Sequence, residues 1–96
     1  MVEIRKTQTF ANWLADLRDR QAKARIIVRI ERMQAGNFGD HKSVGDGVSE
    51  MRIDYGPGYR VYFAVRGTTI VILLCGGDKG TQRMDVAKAK QLAKEV

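Results

Sequence analysis

Residues 48–75 hold three strand-like segments joined by connections too short for anything but hairpins, and this constrains the fold more than any other feature of the chain. The segments are 48–55, 59–66 and 69–75. Gly56-Pro57-Gly58 joins the first two; glycine tolerates positive φ and proline has no backbone donor to lose in a turn. Gly67-Thr68 makes the second connection. Ile70-Val71-Ile72-Leu73-Leu74 is apolar at every position, which suits a central strand covered on both faces. The expectation is an antiparallel meander packed by helices.

The helices come from the flanks. Val2 to Lys6 alternates apolar and charged residues as a half-buried strand does, and Thr7 or Thr9 stands ready to cap a helix directly after it. Phe10, Trp13, Leu14 and Leu17 fall on one face of a short helix, which places Trp13 in the core. A second helix over 21–35 carries an apolar stripe of Ile26, Ile27, Ile30 and Met33 beside a basic stripe of Arg25, Arg29 and Arg32, and Gly36 stops it. The short link between them predicts a helical hairpin. Residues 37–47 contain three glycines and no periodicity and are read as a loop. Gly76-Gly77-Asp78-Lys79-Gly80 ends the last strand, and Thr81 is placed to cap a C-terminal helix whose face is Val86, Ala89, Ala93 and Val96. The predicted order is β-α-α-β-β-β-α, an α+β fold whose antiparallel sheet is packed by the N-terminal hairpin and the C-terminal helix.

At 96 residues the chain suits one domain, 1–96, with one core. The longest apolar run, 70–75, is far below the roughly 20 residues that span a bilayer, so no membrane partner is expected. The N-terminal residues lack the apolar core of a secretory signal and Cys75 is the single cysteine, so a cytoplasmic location is expected. One histidine and one cysteine argue against a structural zinc, and no cofactor is expected. The net charge is +6, which favours a polyanionic partner and also plain solubility. The excess sits in the segments read as helices, with six basic and two acidic residues over 18–32.

If Tyr55 faces Tyr59 across the hairpin, Asp54 lies opposite Arg60 and Arg52 opposite Tyr62. Met51, Ile53, Val61 and Phe63 then point to a core, and Glu50, Arg52, Asp54, Arg60 and Tyr62 project from the other face. One reading makes Asp54–Arg60 a surface ion pair worth under ~1 kcal/mol. The other has the arginines holding an RNA phosphate, which a planar guanidinium grips through two parallel hydrogen bonds. The stripe of Arg25, Arg29 and Arg32 is likewise either a solvated face or a grip on RNA.

Residues 47–63, reading GVSEMRIDYGPGYRVYF, followed by an apolar strand and Gly76-Gly77-Asp78-Lys79, resemble the phage-related, HigB-like branch of the RelE/ParE toxin superfamily. The likeness extends over nearly the whole chain. It implies a RelE-like fold, a helix-turn-helix antitoxin of the HigA type as partner, and metal-independent endonuclease action on mRNA bound to the ribosome. Arg52 and Arg60 match basic positions that relatives use on RNA, and Lys79 stands where relatives often carry another.

Cleavage of RNA without a metal needs a base, a charge stabiliser and a proton donor for the leaving oxygen. Histidine is the side-chain type that titrates near neutrality, so His41 and its neighbour Lys42 are the candidates for proton transfer, with Tyr62 as a substitute on the polar face. Active relatives commonly place a Tyr or His near the C-terminus, where this chain has Met84, Asp85 and Val86. Two alternatives therefore stand beside the nuclease: a ParE-like, non-catalytic toxin against a protein such as DNA gyrase, and an inactive prophage-derived binding module.

Overall fold

In the computed structural model, which describes residues 2–96, the chain enters as strand β1 (Glu3–Lys6) and continues into helices α1 (Gln8–Asp16) and α2 (Arg20–Gln34). Strands β2 (His41–Gly45), β3 (Val48–Ile53), β4 (Tyr59–Arg66) and β5 (Ile70–Gly77) come next, then a 3-10 turn (Lys79–Thr81) and helix α3 (Gln82–Glu95). The fold is α+β: five strands in the order β1-β5-β4-β3-β2, with three helices.

The sheet is mixed, which corrects the expectation of an antiparallel one. β1 runs parallel to β5, with Glu3 beside Ile70 and Lys6 beside Leu73. The meander turns the chain three times between β2 and β5 and returns it to the edge where it began. Thr7 ties this corner: its hydroxyl donates to the Leu74 carbonyl at 2.6 Å and accepts from the Phe10 amide at 3.0 Å, capping α1.

The second correction is β2, which lies in the segment read as a loop. An edge strand pairs on one side only, so its residues need not alternate, and here only Val44 is half-buried. One local signal does mark it. Asp46-Gly47 both take positive φ, 56° and 76°, the conformation of a tight hairpin turn for which Asp-Gly is the favoured sequence.

The β3–β4 register differs from the sequence reading by two residues: Ile53 pairs with Tyr59, Arg52 with Arg60 and Glu50 with Tyr62. The period of a strand is two, so this slip exchanges neighbours and preserves faces. Tyr55, expected opposite Tyr59, lies outside the strand and turns toward α2. The Tyr55 hydroxyl lies 3.1 Å from Gln21 Oε1, and the Arg25 guanidinium rests 4.6 Å above its ring.

Two cores flank the sheet. On one face Phe10, Ile26, Ile30 and Met33 from α1 and α2 pack on Met51, Ile53, Val61, Phe63, Val71 and Leu73. Trp13 packs at the margin of this core, half-buried, and Ile27 is exposed. On the other face α3 lays Ala89 and Ala93 over Val48, Tyr62, Ala64, Ile72 and Leu74. The small alanines let α3 lie close to the strands. Val96, expected on that face, is exposed. The face read as an open polar surface is thus covered over much of its length. A bulge in β5 pairs Tyr62 with Cys75 and Phe63 with Leu73, which turns Leu74 and Cys75 together toward α3.

Gly76 and Gly77 then pass between two helices. A Cβ on Gly76 would collide with the Trp13 ring, and one on Gly77 with the Asp85 carboxylate. Thr81 occupies the N-cap of α3 without capping it through its side chain, which hydrogen-bonds Asp85 Oδ2 at 2.5 Å instead. No helix among the described residues is long and apolar enough to cross a membrane.

Candidate functional site

The site begins with the pairing of Arg52 on β3 and Arg60 on β4, directly opposite each other. Like charges at such a position destabilise a sheet unless something compensates them. Two carboxylates do so in part. Arg52 Nη2 donates to Asp40 Oδ1 at 2.8 Å, and Arg60 Nη1 to Glu50 Oε1 at 3.0 Å. Arg52 holds the Asp40 carboxyl below its usual pKa, chiefly through that hydrogen bond, and the bond raises the pKa of Arg52 in return.

Glu50 is the hub. Its side chain is 0% exposed, yet it gathers contacts from three other elements: Arg60 on β4, Lys42 Nζ on β2 at 3.7 Å, and Gln82 Nε2 on α3 at 3.1 Å. A buried carboxylate is tolerated only when paired and hydrogen-bonded, and Glu50 is both.

The Nε–H groups of Arg52 and Arg60 and the hydroxyl of Tyr62 are buried without a hydrogen-bond partner. Buried donors are nearly always satisfied, so the two guanidinium groups keep unused hydrogen-bonding capacity beside each other on this face. An open groove of about 390 Å³ runs over the two arginines, with Asp40, Asp54, Gly58 and Tyr59 at its sides. Lys79 borders it: a Cβ on Gly58 would lie 3.5 Å from the Lys79 Cβ. Arg52 and Arg60, read from the sequence, are therefore neighbours, and Lys79 stands next to Gly58 at the margin of their groove. Lys42 belongs to the same face through Glu50.

Other candidates go elsewhere. His41 pairs with Met51, and its ring packs 5.6 Å from Phe38 and 6.1 Å from Phe63, on the α2 side of the sheet. Its Nδ1 lies 2.9 Å from the Gly39 carbonyl, which only accepts, so the proton sits there. His41 and the two arginines stand on opposite faces. Tyr62 shares the arginines' face but is 0% exposed beneath α3, where burial first, and then the Glu50 carboxylate, raise its pKa far above neutrality. It keeps its proton, so the structure corrects its placement on an open surface.

Of the α2 stripe, Arg25 covers Tyr55 and Arg32 is exposed. Arg29 donates to the carbonyls of Arg52, Phe38 and Asp40 at 2.6, 3.3 and 3.2 Å, a strut that fixes the approach to β2. Burial lowers its pKa from the usual arginine value. Cys75 is buried, and burial pushes its thiol up to about 12. Among the described residues no group of three or more His, Cys, Asp or Glu is placed to hold a metal ion.

Sequence reasoning missed Asp40 and Gln82 as members of the site. Asp40 lay in the segment read as a loop, and Gln82 enters only because α3 folds back on the sheet. Glu50 was visible by its period-two spacing from Arg52, yet its partner is Arg60.

The family model for the phage-derived protein Gp49-like family (DUF891) matches residues 12–95. The chain belongs to this family. Gp49-like proteins are a RelE-like toxin family. An uncharacterized protein of Haemophilus influenzae is 55% identical over 95 residues, covering 99% of this chain and 96% of the relative.

Proposed function

We propose that this Gp49-like chain is the toxin of a bacterial type II toxin–antitoxin system, in the HigB-like branch, and that it cleaves mRNA on the ribosome without a metal. The observation that carries the reading is the Arg52–Arg60 pair, opposed across β3 and β4 with both Nε–H groups unpaired beneath an open groove. A phosphodiester seated there would offer acceptor oxygens to both guanidinium groups and relieve their repulsion.

In cleavage the 2′-oxygen bonds to phosphorus as the bond to the 5′-oxygen breaks. The 2′-hydroxyl proton passes to a base, and the leaving oxygen takes up a proton. Arg52, Arg60 and Lys79 stabilise the negative charge that builds on the phosphorane. Lys42 is the proton-transfer candidate on the arginines' face. The partners in this reading are mRNA on the ribosome and a helix-turn-helix antitoxin of the HigA type, and the location is the cytoplasm.

A second reading, a non-catalytic toxin acting on a protein such as DNA gyrase, draws on one observation. His41 faces away from the arginines and Tyr62 is sealed under α3, which leaves Lys42, paired to Glu50, as the one remaining candidate for proton transfer on the arginines' face. Mapping of cellular mRNA 5′ ends shortly after induction separates the two. In-frame cuts that vanish in Arg60→Ala and Arg52→Ala support the nuclease; growth arrest with intact mRNA defeats it.

A further inference from the structure

A second groove, of about 400 Å³, lies between α2 and the end of β3 and shares Ile53 and Asp54 with the arginine groove. Ala24 and Val28 stand one helical turn apart on α2 and, with Ile53, give it an apolar floor. Val28 is 41% exposed, so its side chain is open to a ligand lying in this groove. Arg32 lies at the groove wall, and its side chain makes no hydrogen bond or ion pair among the described residues.

At the junction of the two grooves stands Asp54, exposed and likewise without a side-chain partner among the described residues. A carboxylate between two arginine-lined grooves repels a phosphate at that point and attracts a donor. Apolar floor, carboxylate acceptor and flanking cation together match a nucleoside: a flat base to cover the floor, an exocyclic amino group for the carboxylate, and the next phosphate for the arginine.

We propose that this groove is the subsite for the nucleoside next to the phosphate held by Arg52 and Arg60, and that Asp54 selects a base with an exocyclic amine (cytosine, adenine or guanine) over uracil. Uracil turns two carbonyl oxygens toward the carboxylate around its single ring N–H. The inference rests on the reading of the arginine groove as a phosphate site.

The test is binding of single-stranded RNA trimers to the full chain, measured by NMR, with a central cytosine, a central uracil or a central abasic residue. The cytosine trimer is expected to bind about fivefold tighter than the uracil trimer and tighter still than the abasic one. Asp54→Asn brings the first ratio to about one. Val28→Asp, at an exposed position, removes the difference between base and no base while the melting temperature holds. Binding lost in Arg60→Ala but equal for all three trimers in the parent chain overturns the subsite and leaves the arginine site standing. No binding of any trimer overturns both.

Discussion

The two faces of the sheet are built on different terms. Toward α1 and α2 every buried side chain is apolar, and Phe10, Met33 and Phe63 fill the space between helices and strands. Toward α3 the same sheet buries Glu50 and Tyr62 among Val48, Ala64 and Leu74, and it carries the opposed arginines at its open end. Apolar burial is non-directional and tolerant, so the first face can hold the molecule together with little demand on geometry. Buried polar groups must be satisfied one by one, so the second face fixes the position of each side chain. Stability is concentrated on one side, and the arrangement of charge on the other.

Truncation on the apolar face is expected to have the largest effect. Phe10→Ala removes a fully buried ring and should cost about 3–5 kcal/mol in denaturant unfolding. Because the side chains packed around Phe10 are apolar, the loss should be nearly the same at pH 5 and pH 8; a strongly pH-dependent loss would break the comparison.

Glu50→Ala comes second, at about 3 kcal/mol, since it strands Arg60, whose side chain is only 13% exposed. Glu50→Gln, which keeps the shape and can still accept from Arg60 and Gln82, should recover more than half of that. If Glu50→Ala proves neutral, the hub contributes nothing to the fold and the second face is as tolerant as the first.

Gly76→Ala should cost about 2 kcal/mol by forcing Trp13 off β5, a strain that a Trp13→Leu background relieves. Tyr62→Phe sharpens the contrast from the other direction. It deletes a buried hydroxyl that has no partner, so unfolding should show it stabilised by about 1 kcal/mol. A loss of stability in Tyr62→Phe would show that the hydroxyl is hydrogen-bonded in solution.

The smallest effect is the pH response of the exposed Asp40–Arg52 pair. The folded-state pKa of Asp40 lies below its unfolded value, so the pair's contribution is full above the ordinary aspartate pKa of about 3.9 and is lost as pH falls through the folded value. Carboxyl NMR titration should place Asp40 below that ordinary value, and Arg52→Ala should raise it.

Much of the fold was legible because it is written locally. The i, i+3, i+4 spacing of Phe10, Trp13 and Leu14 set α1, Thr7 capped it, and Gly56-Pro57-Gly58 closed the β3–β4 turn. The arginine pair was legible as residues on one face, but not as neighbours. In the observed register Tyr55 lies outside the strand pairing and reaches Gln21, thirty-four residues away in the chain, a contact no local pattern announces. β2 was lost for the opposite reason: residues 37–47 were read as one loop, because an edge strand with one half-buried residue leaves no period to read.

The sequence by itself determined which residues alternate, where the chain turns, and that Glu50, Arg52, Arg60 and Tyr62 share a side, because side-chain period and turn conformation are properties of a few consecutive residues. Only the tertiary structure decided that α3 would close over that side, bury Glu50 and Tyr62, leave a groove lined by Arg52 and Arg60, and send His41 to the far face. Those outcomes depend on how close a helix bearing Ala89 and Ala93 can approach the strands, and on a strand pairing that no short stretch of sequence contains.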